Sequence, residues 1–200
     1  MLMKRTFDEI MNHSKSSFDE LDKEIYEKFI ETIVNSENIF VLGAGRSGLV
    51  AKSFAMRLMH LGKKVCVLGE NTPIIDRKIK NVLIAISGSG KTDAVNEIVN
   101  QFSKNNFKII SLTSNNKSQL ANLSEISINL KNYDKSENEK EDYYPMPLGT
   151  SFELATLLIL ESMIPDLMKR LKVTEEDMKK RHVPFEFIDV YLGFKNHSIR

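Results

Sequence analysis

Four side chains able to hold an anion fall within the run Ser87-Gly88-Ser89-Gly90-Lys91-Thr92. Ser87, Ser89 and Thr92 each bring a hydroxyl that can donate to an oxyanion, and Lys91 adds a cation. Gly88 and Gly90, at alternate positions, let the backbone take positive φ and approach a ligand closely. The preceding residues, Val82 to Ile86, are all apolar, as suits a strand buried on both faces of a parallel sheet. The polar run that follows predicts a helix starting near Lys91, whose unpaired N–H groups point at the same place. Strand, cradle and helix together make a phosphate-sized anion the expected guest.

Two nucleotide-binding readings compete for these glycines. Gly90-Lys91-Thr92 ends like G-x-x-x-x-G-K-[ST], but the position five before Gly90 is Ala85, inside the strand, so the nucleotide-triphosphate pattern fails at its first glycine. A second glycine-rich turn, Gly43-Ala44-Gly45-Arg46-Ser47-Gly48, follows the apolar run Ile39 to Leu42. Gly43, Gly45 and Gly48 match G-x-G-x-x-G, with Glu70 downstream for a ribose. Against it, Arg46 and Ser47 put a cation and a hydroxyl where a dinucleotide fold needs bare backbone. Two polar loops at the carboxyl edge of one sheet instead point to a compact phosphorylated metabolite held between them.

The elements that must position these loops are legible in order. The span 3–35 contains no Gly or Pro and repeats apolar residues at helical spacing (Ile25, Phe29, Ile30, Ile33), which predicts one helix. Residues 1–38 are thus expected to pack on the domain or on a partner subunit. Strands are expected at Ile39–Leu42, Lys64–Leu68, Val82–Ile86, Lys108–Leu112 and Ile126–Leu130, alternating with helices to about Leu61, from about Thr92 to Lys104, and over Ser118–Leu123. That alternation predicts an α/β protein with right-handed crossovers and a five-stranded parallel sheet. Residues 131–142 mix both charge signs without an apolar aliphatic side chain and read as an exposed, mobile loop. A long apolar helix is expected from about Ser151 to Leu171, interrupted by Pro165, with Thr150 or Ser151 as N-cap and Glu153 in the first turn. Thr174 to Asp177 opens a last short helix ending near Arg181-His182, and 187–200 reads as a tail.

Composition narrows the function classes. Two hundred residues with 42% hydrophobic content suit one sizeable core. Lys plus Arg (28) nearly balances Asp plus Glu (27), so no basic field favours nucleic acid. The single cysteine, Cys66, excludes an intramolecular disulfide and reads as a buried thiol in a reducing cytoplasm. No signal-like or membrane-spanning apolar run occurs. Without a Cys/His cluster or H-x-x-x-H spacing, no metal site is expected.

The segments GAGRSG (43–48), AMRLMHLG (55–62), LGENTP (68–73), ISGSGKT (86–92), PLGTSFE (147–153) and KRH (180–182) resemble the single-domain sugar isomerase (SIS) proteins, and within them the 6-phospho-3-hexuloisomerases. ISGSG marks the wider superfamily, whereas AMRLMHLG with PLGTSFE and a terminal RH is narrower. The likeness covers about residues 39–186, taken as the SIS domain. It departs at RKIKN before the third strand, in the charged loop, and at RHVPFE (181–186), where the family usually has RHANLE.

The resemblance implies a three-layer α/β/α, flavodoxin-like sandwich. It implies interconversion of D-arabino-hex-3-ulose 6-phosphate and D-fructose 6-phosphate without metal or organic cofactor, in the ribulose monophosphate pathway. It further implies partnership with hexulose-phosphate synthase and a homotetramer in which a C-terminal histidine enters a neighbour's site. Moving a carbonyl between C3 and C2 needs a base and a stabilised cis-enediolate. Glu153 is the candidate base and His182 the candidate shuttle for the oxygen proton. Ser47, Ser87, Ser89 and Thr92 are expected to grip the phosphate, with Gly45, Arg46, Gly88 and Gly90 shaping the cradle. His60 is a weaker candidate for substrate contact, and His13 and His197 weaker still. Competing readings are another SIS activity, of arabinose 5-phosphate or heptose type, and a non-catalytic phosphosugar sensor. A sensor usually carries a DNA-binding domain, for which 38 N-terminal residues are too few and too weakly basic.

Overall fold

The structure is a computed structural model that describes residues 1–70, 79–131, 146 and 150–182. Helices α1 (Leu2–Asp19) and α2 (Lys23–Asn35) precede strand β1 (Asn38–Gly43), helix α3 (Gly45–His60), strands β2 (Lys64–Val67) and β3 (Asn81–Ile86), and helix α4 (Asp93–Ser103). Strand β4 (Lys108–Thr113), the single turn α5 (Gln119–Asn122), strand β5 (Ile126–Asn129) and helices α6 (Thr150–Leu171) and α7 (Glu175–Arg181) complete the described elements.

All five strands pair in parallel, in the order β2-β1-β3-β4-β5, as the strand–helix alternation predicts. Strand side chains alternate between two dry faces. Ile39, Val41, Val82, Ile84, Ile110 and Ile128 face one core with residues of α2, α3 and α6. Phe40, Leu42, Leu83, Ala85 and Ile109 face a second core with Val95 and Val99 of α4 and Leu120 of α5. Burial on both faces explains why β3 reads as an uninterrupted apolar run, and helix–sheet–helix is the expected three-layer sandwich.

Several local expectations are corrected. The N-terminal span is two helices, because Asp22 stops the first register: its side chain accepts the Ile25 N–H at 2.9 Å and starts α2 afresh. A carboxylate cap can divide a helix without Gly or Pro. Helix α6 continues through Pro165, so proline here removes an N–H without ending the helix. Thr150 and Ser151 lie inside α6 rather than capping it. Helix α4 begins at Asp93 with Thr92 as its N-cap, in keeping with the start expected at about Thr92. Cys66 is half-buried beside the second core, because β2 is an edge strand. The expectations for 132–142, for Pro145, Pro147 and the residues 71–73 of LGENTP, and for the tail 187–200 lie outside the described residues.

Candidate functional site

Strand order reverses between β1 and β3, and open α/β sheets bind ligands at such a switch point, outside the carboxyl ends of the strands. Register brings the two glycine-rich loops together there: Gly43 at the end of β1 pairs with Ile86 at the end of β3. The first loop then enters α3 by a tight turn. Gly45 takes φ +56°. A Cβ on Gly43 would lie 2.8 Å from the Gly48 nitrogen, and one on Gly48 would lie 2.8 Å from the Gly43 oxygen. These glycines are consumed by close packing of strand end on helix start. Glu70, the would-be ribose ligand, pairs with Lys52 of α3 at 2.7 Å.

In the second loop Ser87 is buried and its hydroxyl lies 3.1 Å from the Thr92 hydroxyl. Ser89 is exposed at the crest, and its Oγ accepts the Lys91 N–H at 3.2 Å. Gly90 takes φ +62° and backs directly onto Ser118 and Thr113. Ser47 is buried in the first turn of α3, whereas Arg46 is exposed. The structure thus sets Ser47, Ser87, Ser89 and Thr92 along one edge of the sheet, on two loops that leave adjacent strands in register.

Helix α6 brings the carboxylate. Phe152 packs against Gly88, where an added Cβ would come within 3.1 Å of its ring, so the first turn of α6 docks on the hydroxyl loop. Glu153 is one residue further. Its Oε2 is shielded from solvent and has no hydrogen-bond partner among the described residues. Arg46 approaches that oxygen to 3.9 Å through Nε, too far for a hydrogen bond, while its Nη1 donates to Thr150 Oγ1 at 3.3 Å. Burial pushes the Glu153 carboxyl above its ordinary range, and the Arg46 charge offsets this in part. A carboxylate whose Oε2 is shielded and without a partner among the described residues, beside the hydroxyl loop, is suited to taking a proton.

The candidate histidines are elsewhere. His60 ends α3, and the His182 ring stands 5.2 Å from it, with Arg181 Nη1 donating to the His60 carbonyl at 3.0 Å. Helix α3 has 16 residues and is about 24 Å long, so this pair lies at the opposite edge of the sheet from Ser47. Burial, then the neighbouring His182 and Arg57, hold the His60 pKa down. Within one chain, therefore, Glu153 and His182 are not brought together. His13, on α1, contacts the Lys131 carbonyl at 2.9 Å, and His197 lies outside the described residues. No cluster of three or more His, Cys, Asp or Glu positioned to hold a metal occurs among the described residues.

Sequence reasoning missed Phe152 and Thr150 as parts of the site. Both stand in the quoted PLGTSFE segment, but only the α6 docking shows that one seats the hydroxyl loop and the other holds Arg46.

A model of the SIS domain matches residues 32–138. The chain belongs to the SIS domain family. It is 36% identical over 156 residues to 3-hexulose-6-phosphate isomerase of Methanocaldococcus jannaschii, covering 78% of this chain and 81% of that protein. It is 33% identical over 178 residues to the 3-hexulose-6-phosphate isomerase of Methylomonas aminofaciens, covering 88% of this chain and 92% of that one. A crystal structure from Methanococcus jannaschii, described as inferring a function of 3-hexulose-6-phosphate isomerase, is similar at TM-score 0.76 and 32% identity. It covers 90% of this chain and 98% of its own. No described helix is long and apolar enough to cross a membrane.

Proposed function

We propose that this chain is a sugar-phosphate isomerase that interconverts D-arabino-hex-3-ulose 6-phosphate and D-fructose 6-phosphate. The observation that carries the reading is Glu153: a shielded carboxylate, held above its ordinary pKa by burial, on the helix turn that packs against the hydroxyl loop. The similarity to named 3-hexulose-6-phosphate isomerases over most of both chains supports the substrate.

The reaction is redox-neutral within one molecule. Ser47, Ser87, Ser89 and Thr92 hold the phosphate, with Gly45, Gly88 and Gly90 letting the backbone close on it, and that binding energy orients C2 and C3. Glu153 takes the C2 proton, the C2–H electron pair forms the C2=C3 bond, and the C3 carbonyl becomes an enediolate oxygen. A proton is then returned to C3 while the O2 proton moves to O3, leaving the carbonyl at C2. Arg46, beside Glu153, is placed to offset the enediolate charge. No hydride leaves, and the chemistry asks for no metal or organic cofactor.

His182 stands at the far edge of its own chain, so its part as oxygen-proton shuttle calls for a second copy, as in a homotetramer. Exposed apolar side chains on α1, including Leu2, Met3 and Phe7, supply surface for such association. In this reading the enzyme works in the cytoplasm beside hexulose-phosphate synthase. The test is incubation with fructose 6-phosphate in deuterium oxide, alone and with the synthase. Deuterium at C3 of the sugar and release of formaldehyde with the synthase are expected. Absence of both would reject the assignment.

A further inference from the structure

The hydroxyl loop is held from behind by a turn that the reaction itself does not use. The Gly88 carbonyl accepts three hydrogen bonds from the residues that end β4: from the Ser114 N–H at 2.9 Å, from Ser114 Oγ at 2.6 Å and from Thr113 Oγ1 at 3.2 Å. The Gly90 carbonyl accepts two, from the Leu120 N–H at 3.2 Å and from Asn96 Nδ2 at 3.2 Å. Thr113 and Asn96 are buried, and Asn96 Nδ2 also reaches Gln119 Oε1 at 3.3 Å. A Cβ on Gly90 would lie 2.1 Å from Ser118 Oγ, so the loop is seated on this turn without slack.

In a trans peptide the C=O of one residue and the N–H of the next point in opposite directions. Fixing the Gly88 carbonyl toward β4 therefore turns the Ser89 N–H away from β4. The Gly90 carbonyl is held toward α4 and α5 instead, and the Lys91 N–H is taken up within the loop by Ser89 Oγ at 3.2 Å. One backbone donor, the Ser89 N–H, is thus aimed before a ligand arrives, and a pre-aimed donor loses no orientational freedom on binding.

We propose that Thr113 and Ser114 are positioning residues for phosphate recognition, acting through the Gly88 carbonyl to aim the Ser89 amide at the phosphate of the substrate. The inference rests on the isomerase reading for the identity of the sugar phosphate, but not for the geometry. Neither touches the reacting carbons, so their loss acts on binding of the phosphorylated substrate more than on the chemical step.

The experiment uses the full chain with Ser114→Ala, Thr113→Val and the double variant, each checked for wild-type circular dichroism. Dissociation constants are measured for inorganic phosphate and for fructose 6-phosphate, and KM and kcat for the isomerisation. The double variant is expected to weaken both ligands by about tenfold or more, and to raise KM by a similar factor while kcat falls less than about threefold. Ser114→Thr, which keeps a hydroxyl, is expected to restore most of the affinity. Should the double variant not fold, Ser114→Ala decides the matter on the same readouts. Unchanged affinity for phosphate, or a loss of kcat with KM intact, would overturn the proposal. Wild-type protein that binds phosphate but does not turn over the sugar would reject the isomerase reading instead, and the variants' phosphate affinities would still test the positioning role.

Discussion

Replacing Glu153 by glutamine separates a base from a helix-terminal acid. The change is nearly isosteric, and the amide oxygen can take the place of Oε2, facing Arg46 Nε at 3.9 Å, so no hydrogen bond made by Oε2 is lost. Glu153 follows the first three residues of α6 rather than standing at the third helical position after a Thr150 cap, so it closes no capping box. Removal of a general base lowers turnover by about 10² to 10⁴, which is about 2.7–5.4 kcal/mol on the barrier. Binding of fructose 6-phosphate is expected to change little, since the proposed phosphate ligands are other residues, on the two glycine-rich loops. The assays are steady-state turnover and wash-in of solvent deuterium at C3 of fructose 6-phosphate, followed by NMR.

Stability supplies an independent sign. A carboxyl whose folded pKa is raised binds its proton more tightly in the native state. Wild type therefore loses stability as pH climbs from the ordinary glutamate value of 4.5 through the raised one. Glutamine carries no such loss, so Glu153→Gln is expected to be the more stable protein near about pH 8, with its advantage fading on acidification. Deuterium exchange at the wild-type rate in the variant would refute the base assignment. Lower stability of the variant near neutrality would show a charge that α6 favours rather than one that burial penalises.

Ser89→Ala and Thr92→Ala are each expected to weaken phosphosugar binding by about 1.5–3 kcal/mol, or roughly ten- to a hundredfold, in calorimetry; unchanged affinity in both would remove this loop from the site. Gly45→Ala meets no atom within 4 Å but must hold φ +56°, costing about 1–2 kcal/mol. Gly90→Ala adds a collision with Ser118 and is expected to cost about 1–3 kcal/mol more in denaturant unfolding; equal costs would contradict the seating of the loop. Mg-ATP is expected to give a smaller thermal shift than fructose 6-phosphate, because the triphosphate pattern fails at Ala85. Glu153→Gln mixed with His182→Ala is expected to regain turnover after the subunits are exchanged, if His182 serves a neighbouring site; no recovery from fully exchanged oligomers would confine the chemistry to one chain.

What the sequence determined by itself is what local pattern encodes. The apolar runs at 39–42 and 82–86 can be buried on both faces only within a covered sheet, and the alternation of strand-like with helix-period segments dictates a parallel one. The glycines and hydroxyls at 43–48 and 87–92 announce two polar loops at the strand ends, although of Gly88 and Gly90 only Gly90 takes a positive φ. Where a local rule has two outcomes, the pattern was insufficient: nothing in 3–35 distinguishes one helix from two until Asp22 is seen to cap Ile25, and Pro165 stays helical in a segment whose buried face is already packed.

The tertiary structure alone decided which distant residues meet. The Gly43–Ile86 pairing puts the two loops side by side, Phe152 lands on Gly88, and Arg46 reaches Thr150 across 104 positions of chain. The same packing carries His182 away from Glu153, onto His60 at the other edge of the sheet. Helical and strand periodicities relate a residue only to neighbours a few positions away, whereas these meetings are set by strand order and by the side of the sheet on which each helix returns.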